Sequence, residues 1–554
     1  MAAKSLDSVN GTKPAGSGGN PDFEAAIIGA GFSGLRMLYE LRRIGVSAKI
    51  FETGSEVGGT WYWNNYPGCR TDCESWVYAL NCSKELCQEW TWSERYPRQP
   101  EVKQYLNFVA DRFDMRKDIL FNSQIKSAHF DEDKNVWKLE TSKGEKYSSV
   151  FLILGTGLLS SAKKIPFPGY ESFKGDWYQT SSWPKDKEVS FKDKRVAVVG
   201  TGATGVQIVP VAAHVAKSVH VFQRTPNYIL PARNYTVTKE HATEIKQNYD
   251  DIWACARGQV FGLDIPPTGR LYADVKDDPE TVQKAFDAGW EAGGFNFVFE
   301  TFDDLFTSEE CNKAACDFLR NKTRAIVKDP KTAEKLNPDY ALFSKRPPLG
   351  HRYLESFNRP NVHLVDIKES PIQEITPKGI RTSTDEYEFD IIVYAIGFDA
   401  VTGPITSMDI RGRNGRAIAN EWSTKIDTML GIGIEGFPNL FMMSGPKGTF
   451  SNFPMIIDTT GTEIGKMINY LRETGQQTIE PTKAAQDNWN ELCEQLYGAT
   501  VMSKTAEKVG SWFTGANIPG KPTGTLYYFG GLQNYIAECQ KESSAGFPGF
   551  VCAR

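Results

Sequence analysis

Residues Lys194–Pro226 read KRVAVVGTGATGVQIVPVAAHVAKSVHVFQRTP, and this stretch decides the fold. Val196–Val199 is an apolar, β-branched run and predicts a strand. Gly200-Thr201-Gly202-Ala203-Thr204-Gly205 is a G-x-G-x-x-G turn, and Val206–Ala216 predicts the helix it opens. A second strand, Val219–Gln223, ends at Arg224. Glycines at these places let the backbone approach a pyrophosphate, which then rests on the helix N-terminus. The end of the second strand meets the adenosine ribose. An acid there would bind a free 2′-hydroxyl, whereas Arg224 followed by Thr225 offers a cation and a hydroxyl, the pair that suits a 2′-phosphate. The stretch therefore asks for NADP.

Working outward, the same pattern stands nearer the N-terminus with the opposite ending. Ala25–Ile28 predicts a strand, Gly29-Ala30-Gly31-Phe32-Ser33-Gly34 the turn and Leu35–Ile44 the helix. The second strand, Ser47–Phe51, ends at Glu52, 18 residues after Gly34, while Arg224 lies 19 after Gly205. The two fingerprints share a frame but differ in charge at the ribose. The first site wants an unphosphorylated ribose, FAD or NAD, and the second wants NADP. The predicted class is α/β, with two Rossmann-like dinucleotide-binding domains.

The totals exclude other classes. With 554 residues the chain holds two or three domains, and its 40% apolar and 24% charged residues are ordinary for a globular protein. A net charge of −5 gives no reason to expect nucleic acid or an anionic membrane as a partner. No run reaches the roughly 18 apolar residues of a membrane span. Residues 1–20 are rich in Ser, Gly, Asn and Lys, lack the apolar core of a secretory signal and read as a disordered tail. Cytoplasmic location is the expectation. The ten cysteines include no C-x-x-C pair and the six histidines no metal-spaced cluster, so no metal is expected. No protein nucleophile is evident, which leaves the hard chemistry to a cofactor.

Between the fingerprints, Gly58-Gly59-Thr60-Trp61-Tyr62-Trp63 leads to Asp72. Glycines beside three aromatics suit backbone packed against a flat ring, although an aromatic core loop would read the same. Asp72 in that setting needs a cationic partner. Beyond Pro226, helix formers dominate Lys239–Ala256, Pro279–Ala292, Ser308–Val327 and Asp329–Leu336, which predicts a helical insertion. Ser344-Lys345-Arg346-Pro347-Pro348 then sets two cations before a Pro-Pro, outside any regular helix. Ile391–Tyr394 predicts a strand that opens a return to the first domain. The resulting division is 21–161 and 391–554 for FAD, 162–230 and 340–390 for NADP, and 231–339 for the insertion.

Two fingerprints in this order, with GGTWYWNNYPGCRTD, FKGDWYQTSSWP, FQRTPNYILPARN, KRPPL, FNRPNVHLVD and SWFTGANIPGKP, resemble the type I Baeyer–Villiger monooxygenases over nearly all of the chain after the tail. The resemblance implies oxidation of a ketone to an ester or lactone with NADPH, O2 and a flavin peroxide. It places FAD at Gly29, Gly31, Gly34, Glu52, Gly59, Thr60 and Trp61. It places NADPH at Gly200, Gly202 and Gly205, with Arg224, Thr225 and Lys345 on the 2′-phosphate. Arg346 matches the family's active-site arginine, Asp72 the carboxylate that orients it, and Trp512 the tryptophan of a closing loop. The loop Gly445–Pro454 resembles that of enzymes for cyclic ketones, and a monomer is expected.

One position departs. The family fingerprint F-x-G-x3-H-x3-W-P is met by Phe173, Gly175, Trp183 and Pro184, but Gln179 stands at the histidine. Glutamine exchanges hydrogen bonds without titrating. A structural role for this position is compatible with glutamine, and a protonation role is not. Two other readings stand beside the main one: a flavin monooxygenase that oxidises nitrogen or sulfur, and a non-catalytic protein that binds FAD and NADP.

Overall fold

In the computed structural model, which describes residues 21–554, the strands Phe23–Ile28 and Ala48–Phe51 pair in parallel and the helix Phe32–Arg43 crosses between them. The tail expected at 1–20 lies outside the described residues. Ile119–Leu120 extends this parallel sheet on one side and Lys146–Leu154 on the other. The outer edge of Lys146–Leu154 is shared. Its first half pairs antiparallel with Val136–Thr141, and its last residues pair in parallel with Leu440–Met442. Strand Phe23–Ile28 is buried on both faces from Ala25 onward, which is why it reads as an unbroken apolar run.

The second sheet has five strands, all parallel, in the order Val362–Asp366, Ser218–Gln223, Arg195–Val199, Ile391–Tyr394 and Asp176–Gln179. This corrects one expectation. Ile391–Tyr394 does not open a return to the first domain; it lies inside the second sheet, registered on Val196–Val199 and on Asp176–Gln179. A short all-apolar strand states that it is buried and not in which sheet. The chain rejoins the first sheet at Asp409–Arg411, which pairs in parallel with Ile125–Asp131, and again at Leu440–Met442, so the boundary placed at 391 moves past Tyr394.

The helices fall where helical periodicity put them, with shifted ends. Phe32–Arg43 and Ala203–Val215 each begin three residues before the expected start, directly on the glycine turn. Lys239–Ala256 divides into Lys239–Gln247 and Tyr249–Gly258. A long helix runs from Phe453 to Thr474. It packs on Phe32–Arg43 around buried Arg36, whose Nε and Nη1 meet Asp458 at 2.9 Å and Glu40 at 3.0 Å. No helix of the described residues is long and apolar enough to cross a membrane.

Candidate functional site

Both glycine turns solve the same steric problem in the same way. Gly29 has φ +102° and Gly200 φ +114°, in the region that favours glycine. A Cβ on Gly34 would lie 1.9 Å from the Gly29 carbonyl oxygen, and one on Gly205 would lie 2.1 Å from that of Gly200. These third glycines therefore allow helix and strand to touch. The middle glycines do something else. Gly31 lies against Gly59, where a Cβ would come 3.3 Å from the Gly59 Cα, and a Cβ on Gly202 would meet nothing within 4 Å. Gly31 thus lets two backbone segments approach each other, and Gly202 borders space rather than protein.

The helices behind the turns start on Gly31 and Gly202 without a side-chain cap and without an acidic residue in the first turn. Their first N–H groups and positive dipole ends stay available to an anion. In the first turn the Ser33 hydroxyl is buried and has no hydrogen-bond partner, so it too awaits an acceptor. Glu52 is 4% exposed, and its carboxylate accepts the Ala30 N–H at 2.7 Å and the Gly54 N–H at 2.6 Å. Burial pushes this carboxyl up, and the two N–H donors oppose the shift. It is held at the strand end, beside the turn, where a ribose hydroxyl would arrive. The residues of both turns fit a dinucleotide pyrophosphate.

The loop that follows Gly59 joins the two domains. The Tyr66 hydroxyl donates to Gln207 Oε1 at 2.8 Å, and Gln207 Nε2 donates to the Arg70 carbonyl at 3.1 Å, on the helix behind the second turn. Asn65 Nδ2 donates to the Pro184 carbonyl at 3.1 Å, and the Lys185 ammonium lies 4.5 Å from the Tyr62 ring and 4.4 Å from that of Trp63. Trp61 is buried. Its indole N–H donates to the Tyr78 hydroxyl at 3.3 Å, and its carbonyl accepts from Gln99. Thr60 starts the short helix Thr60–Trp63 and is exposed.

Further along that loop, Asp72 meets Arg346 across 274 positions of sequence. Arg346 Nε donates to Asp72 Oδ2 at 2.9 Å and Nη2 reaches the same oxygen at 2.8 Å. The guanidinium lies 5.4 Å from the Phe261 ring and 5.2 Å from that of Phe295. Burial disfavours its charge, but Asp72, with Cys73 and Tyr527, outweighs this, and its pKa rises above the ordinary arginine value. Asn227 Nδ2 donates to the Arg346 carbonyl at 3.2 Å, which ties the arginine to the segment just after Arg224 and Thr225. The result is a permanent cation that is oriented, partly dry and tied to the segment that follows the second dinucleotide unit.

Lys345, the neighbour of Arg346, belongs to a different cluster. Burial lowers its pKa to about 8, helped by Arg224 and Lys163. Arg224 is exposed at the strand end, and the Thr225 carbonyl accepts the Thr201 hydroxyl at 3.1 Å. These cations crowd one another at the place where a 2′-phosphate would lie.

Trp512 stands on the Gly- and Pro-rich loop Ser511–Phe529 and packs 4.7 Å from Phe513, 5.8 Å from Tyr527 and 6.4 Å from Phe450, ring centre to ring centre. Phe450 in turn lies 5.1 Å from Phe261, so an aromatic wall runs from the loop to the rings over Arg346. Sequence reasoning missed Ser33, Phe261, Phe295 and Tyr527. Ser33 was visible inside the turn itself. Phe261 and Phe295 lie in the helical insertion, and nothing local separates them from core aromatics.

The family model described as "Flavin-binding monooxygenase-like" matches residues 23–238. The chain is 41% identical over 533 residues to a Baeyer–Villiger monooxygenase of Pseudooceanicola batsensis, with 96% of each chain covered. It is 40% identical to a phenazine N-monooxygenase of Lysobacter antibioticus, over 96% of this chain and 97% of that one. Its fold superposes on a closed crystal structure of cyclohexanone monooxygenase with a TM-score of 0.92, at 39% identity, covering 96% of this chain and 99% of that one. Identity of this extent along nearly the whole of both chains answers what two glycine turns and one oriented arginine had posed: the chain belongs to the Baeyer–Villiger monooxygenases, a family of flavin-dependent enzymes.

Proposed function

We propose that this protein oxidises a ketone, a cyclic one in preference, to the ester or lactone, with Arg346 as its catalytic cation. The observation that carries the reading is the Asp72–Arg346 pair, packed against the Phe261 and Phe295 rings, in a chain with two dinucleotide turns of opposite ribose charge. Bound FAD, reduced by NADPH, supplies an activated oxygen taken from O2. Gly29, Gly31, Gly34, Gly59 and Ser33 cradle the FAD pyrophosphate, Glu52 takes the ribose, and Thr60 and Trp61 border the ring. Gly200, Gly202 and Gly205 receive the pyrophosphate of NADPH. Arg224, Thr225 and Lys345 hold its 2′-phosphate.

Arg346 stabilises negative charge on the incoming oxygen and on the carbonyl oxygen as it is attacked. A guanidinium suits this because no working pH discharges it. Asp72 occupies Nε and Nη2 and leaves Nη1 for the reacting group. Phe261, Phe295, Phe450 and Trp512 keep water from that charge, which strengthens it and limits loss of the activated oxygen as hydrogen peroxide. Phe450 lies on Gly445–Pro454, so this loop would set the fit of a cyclic ketone.

The test is NADPH consumption by FAD-loaded protein with cyclic and aryl ketones and with phenazine, following product mass and hydrogen peroxide together. Lactone or ester from a ketone supports the reading. Turnover confined to phenazine would replace it with heteroatom oxidation, the activity named for the Lysobacter relative.

Two expected results follow for the second turn. Arg224→Ala should weaken NADP+ binding by about 10- to 100-fold, the size of one charge-assisted hydrogen bond, and leave NAD+ binding nearly unchanged. Equal losses for both would remove the phosphate from this position. The pH dependence has a definite sign. Lys345 is charged below about 8 and loses its proton above it, so NADP+ affinity should fall several-fold between pH 7 and 9.5. NAD+ affinity should stay flat across the same titration, read by flavin fluorescence.

A further inference from the structure

Lys163 lies on the segment between the domains, where three parts of the molecule converge. Its backbone N–H donates to the Gly397 carbonyl at 3.3 Å, and Ala162 forms an antiparallel bridge with Phe398. Gln179 Nε2 donates to the Lys163 carbonyl at 2.6 Å. The ammonium of Lys163 reaches the other way and donates to the Asn517 carbonyl at 2.8 Å, on the loop that carries Trp512. Asn517 Nδ2 donates to the Phe398 carbonyl at 2.9 Å. Lys521 of the same loop pairs with Asp399 at 2.7 Å and donates to the Ala400 carbonyl at 3.1 Å. All of this gathers beyond the carboxyl end of Ile391–Tyr394, the end of a parallel sheet at which ligands bind.

The ammonium spends one of its three donors on a carbonyl and meets no free acid. Asp399, the carboxylate that acts on it, is already taken by Lys521. Arg224 and Lys163 both act on Lys345, and Gly510 brings the Trp512 loop to Arg224: a Cβ there would come 3.7 Å from Arg224 Nη2. Three cations thus share one place, and a doubly charged phosphate monoester would offset two of their charges.

We propose that Lys163, positioned by Gln179, is a further specificity-determining contact of the NADP 2′-phosphate and that the same ammonium latches the Trp512 loop through Asn517. The inference rests on the reading that Arg224, Thr225 and Lys345 receive that phosphate. It gives Gln179 a physical role. A histidine could offer the same donor, but its protonated form would add a positive charge beside three others. A glutamine amide holds the Lys163 backbone with no charge at any pH. Phosphate recognition and loop closure become one event, since the group that senses the phosphate also holds the loop.

The experiment uses FAD-loaded full-length protein and measures equilibrium binding of NADP+ and of NAD+, with limited chymotryptic cleavage of the loop. Lys163→Met should weaken NADP+ about 10-fold or more, leave NAD+ within about twofold and abolish the protection that NADP+ gives the loop. Lys163→Arg should restore most of both. Gln179→Leu should shift NADP+ in the same direction by less and add little to Lys163→Met in the double variant. Unchanged NADP+ affinity in Lys163→Met, or an equal fall for NADP+ and NAD+, overturns the assignment. Arg224→Ala separates the two levels. If it weakens NADP+ and Lys163→Met does not, only Lys163 is wrongly assigned; if neither does, the phosphate site itself lies elsewhere.

Discussion

Arg346→Ala should lower ester or lactone formation by about 10³-fold or more, while NADPH still reduces the flavin and oxygen is still consumed, now ending as hydrogen peroxide. One preorganised donor at a developing oxyanion is worth about 10²–10³ in rate, and this donor carries a full charge in a partly dry site. Truncation also leaves Asp72 without its cation, against Cys73, whose thiol lies 3.9 Å from Asp72 Oδ1. Arg346→Lys should recover little. A lysine cannot keep two parallel N–H groups on Asp72 and present a third outward, nor offer a flat face to Phe261 and Phe295. Asp72→Asn, which keeps the shape and removes the charge, should lose less, about 10²-fold. Product and peroxide measured in the same reaction decide the matter. If Arg346→Ala keeps more than a tenth of the product rate, the charge on Arg346 is not what drives the oxygen transfer.

The second large effect separates glycines that serve the fold from glycines that serve the ligand. Gly205→Ala would place a Cβ 2.1 Å from a backbone oxygen that cannot move without opening the second sheet. It should cost about 3 kcal/mol or more and yield little soluble protein. Gly202→Ala meets nothing within 4 Å. It should melt within a degree or two of the parent and bind FAD normally. Its added methyl points where the pyrophosphate runs, so NADP+ and NAD+ should both weaken about 10-fold or more, unlike in Arg224→Ala, which spares NAD+. Thermal melts and dinucleotide titrations of the two variants check this. Equal stability would mean that the helix does not press on Gly200 as described, and unchanged binding by Gly202→Ala would move the pyrophosphate off this turn.

The two dinucleotide domains were legible because their constraints are local. A strand, a glycine turn and a helix N-terminus lie within about twenty residues, and the ribose contact follows at a fixed distance, so Glu52 and Arg224 declared opposite charges from sequence alone. Asp72 and Arg346 were legible only as candidates. Each is an ionisable residue that local chemistry leaves unpaired, but no spacing rule joins positions 274 residues apart, and their pairing came from the resemblance. The sheet to which Ile391–Tyr394 belongs was not legible, because four buried apolar residues pair equally well in either parallel sheet.

By itself, then, the sequence determined the two Rossmann-like units, the charge that ends the second strand of each, the helical insertion and the chemistry class. The tertiary structure decided which strand closes which sheet, that phenylalanines from the insertion lie against Arg346, and that Gln179, Lys163 and Asn517 form one chain of hydrogen bonds from fingerprint to loop. The division has one physical cause. Backbone geometry at a turn is written in the residues that make it, whereas a contact between distant segments depends on how every intervening element packs.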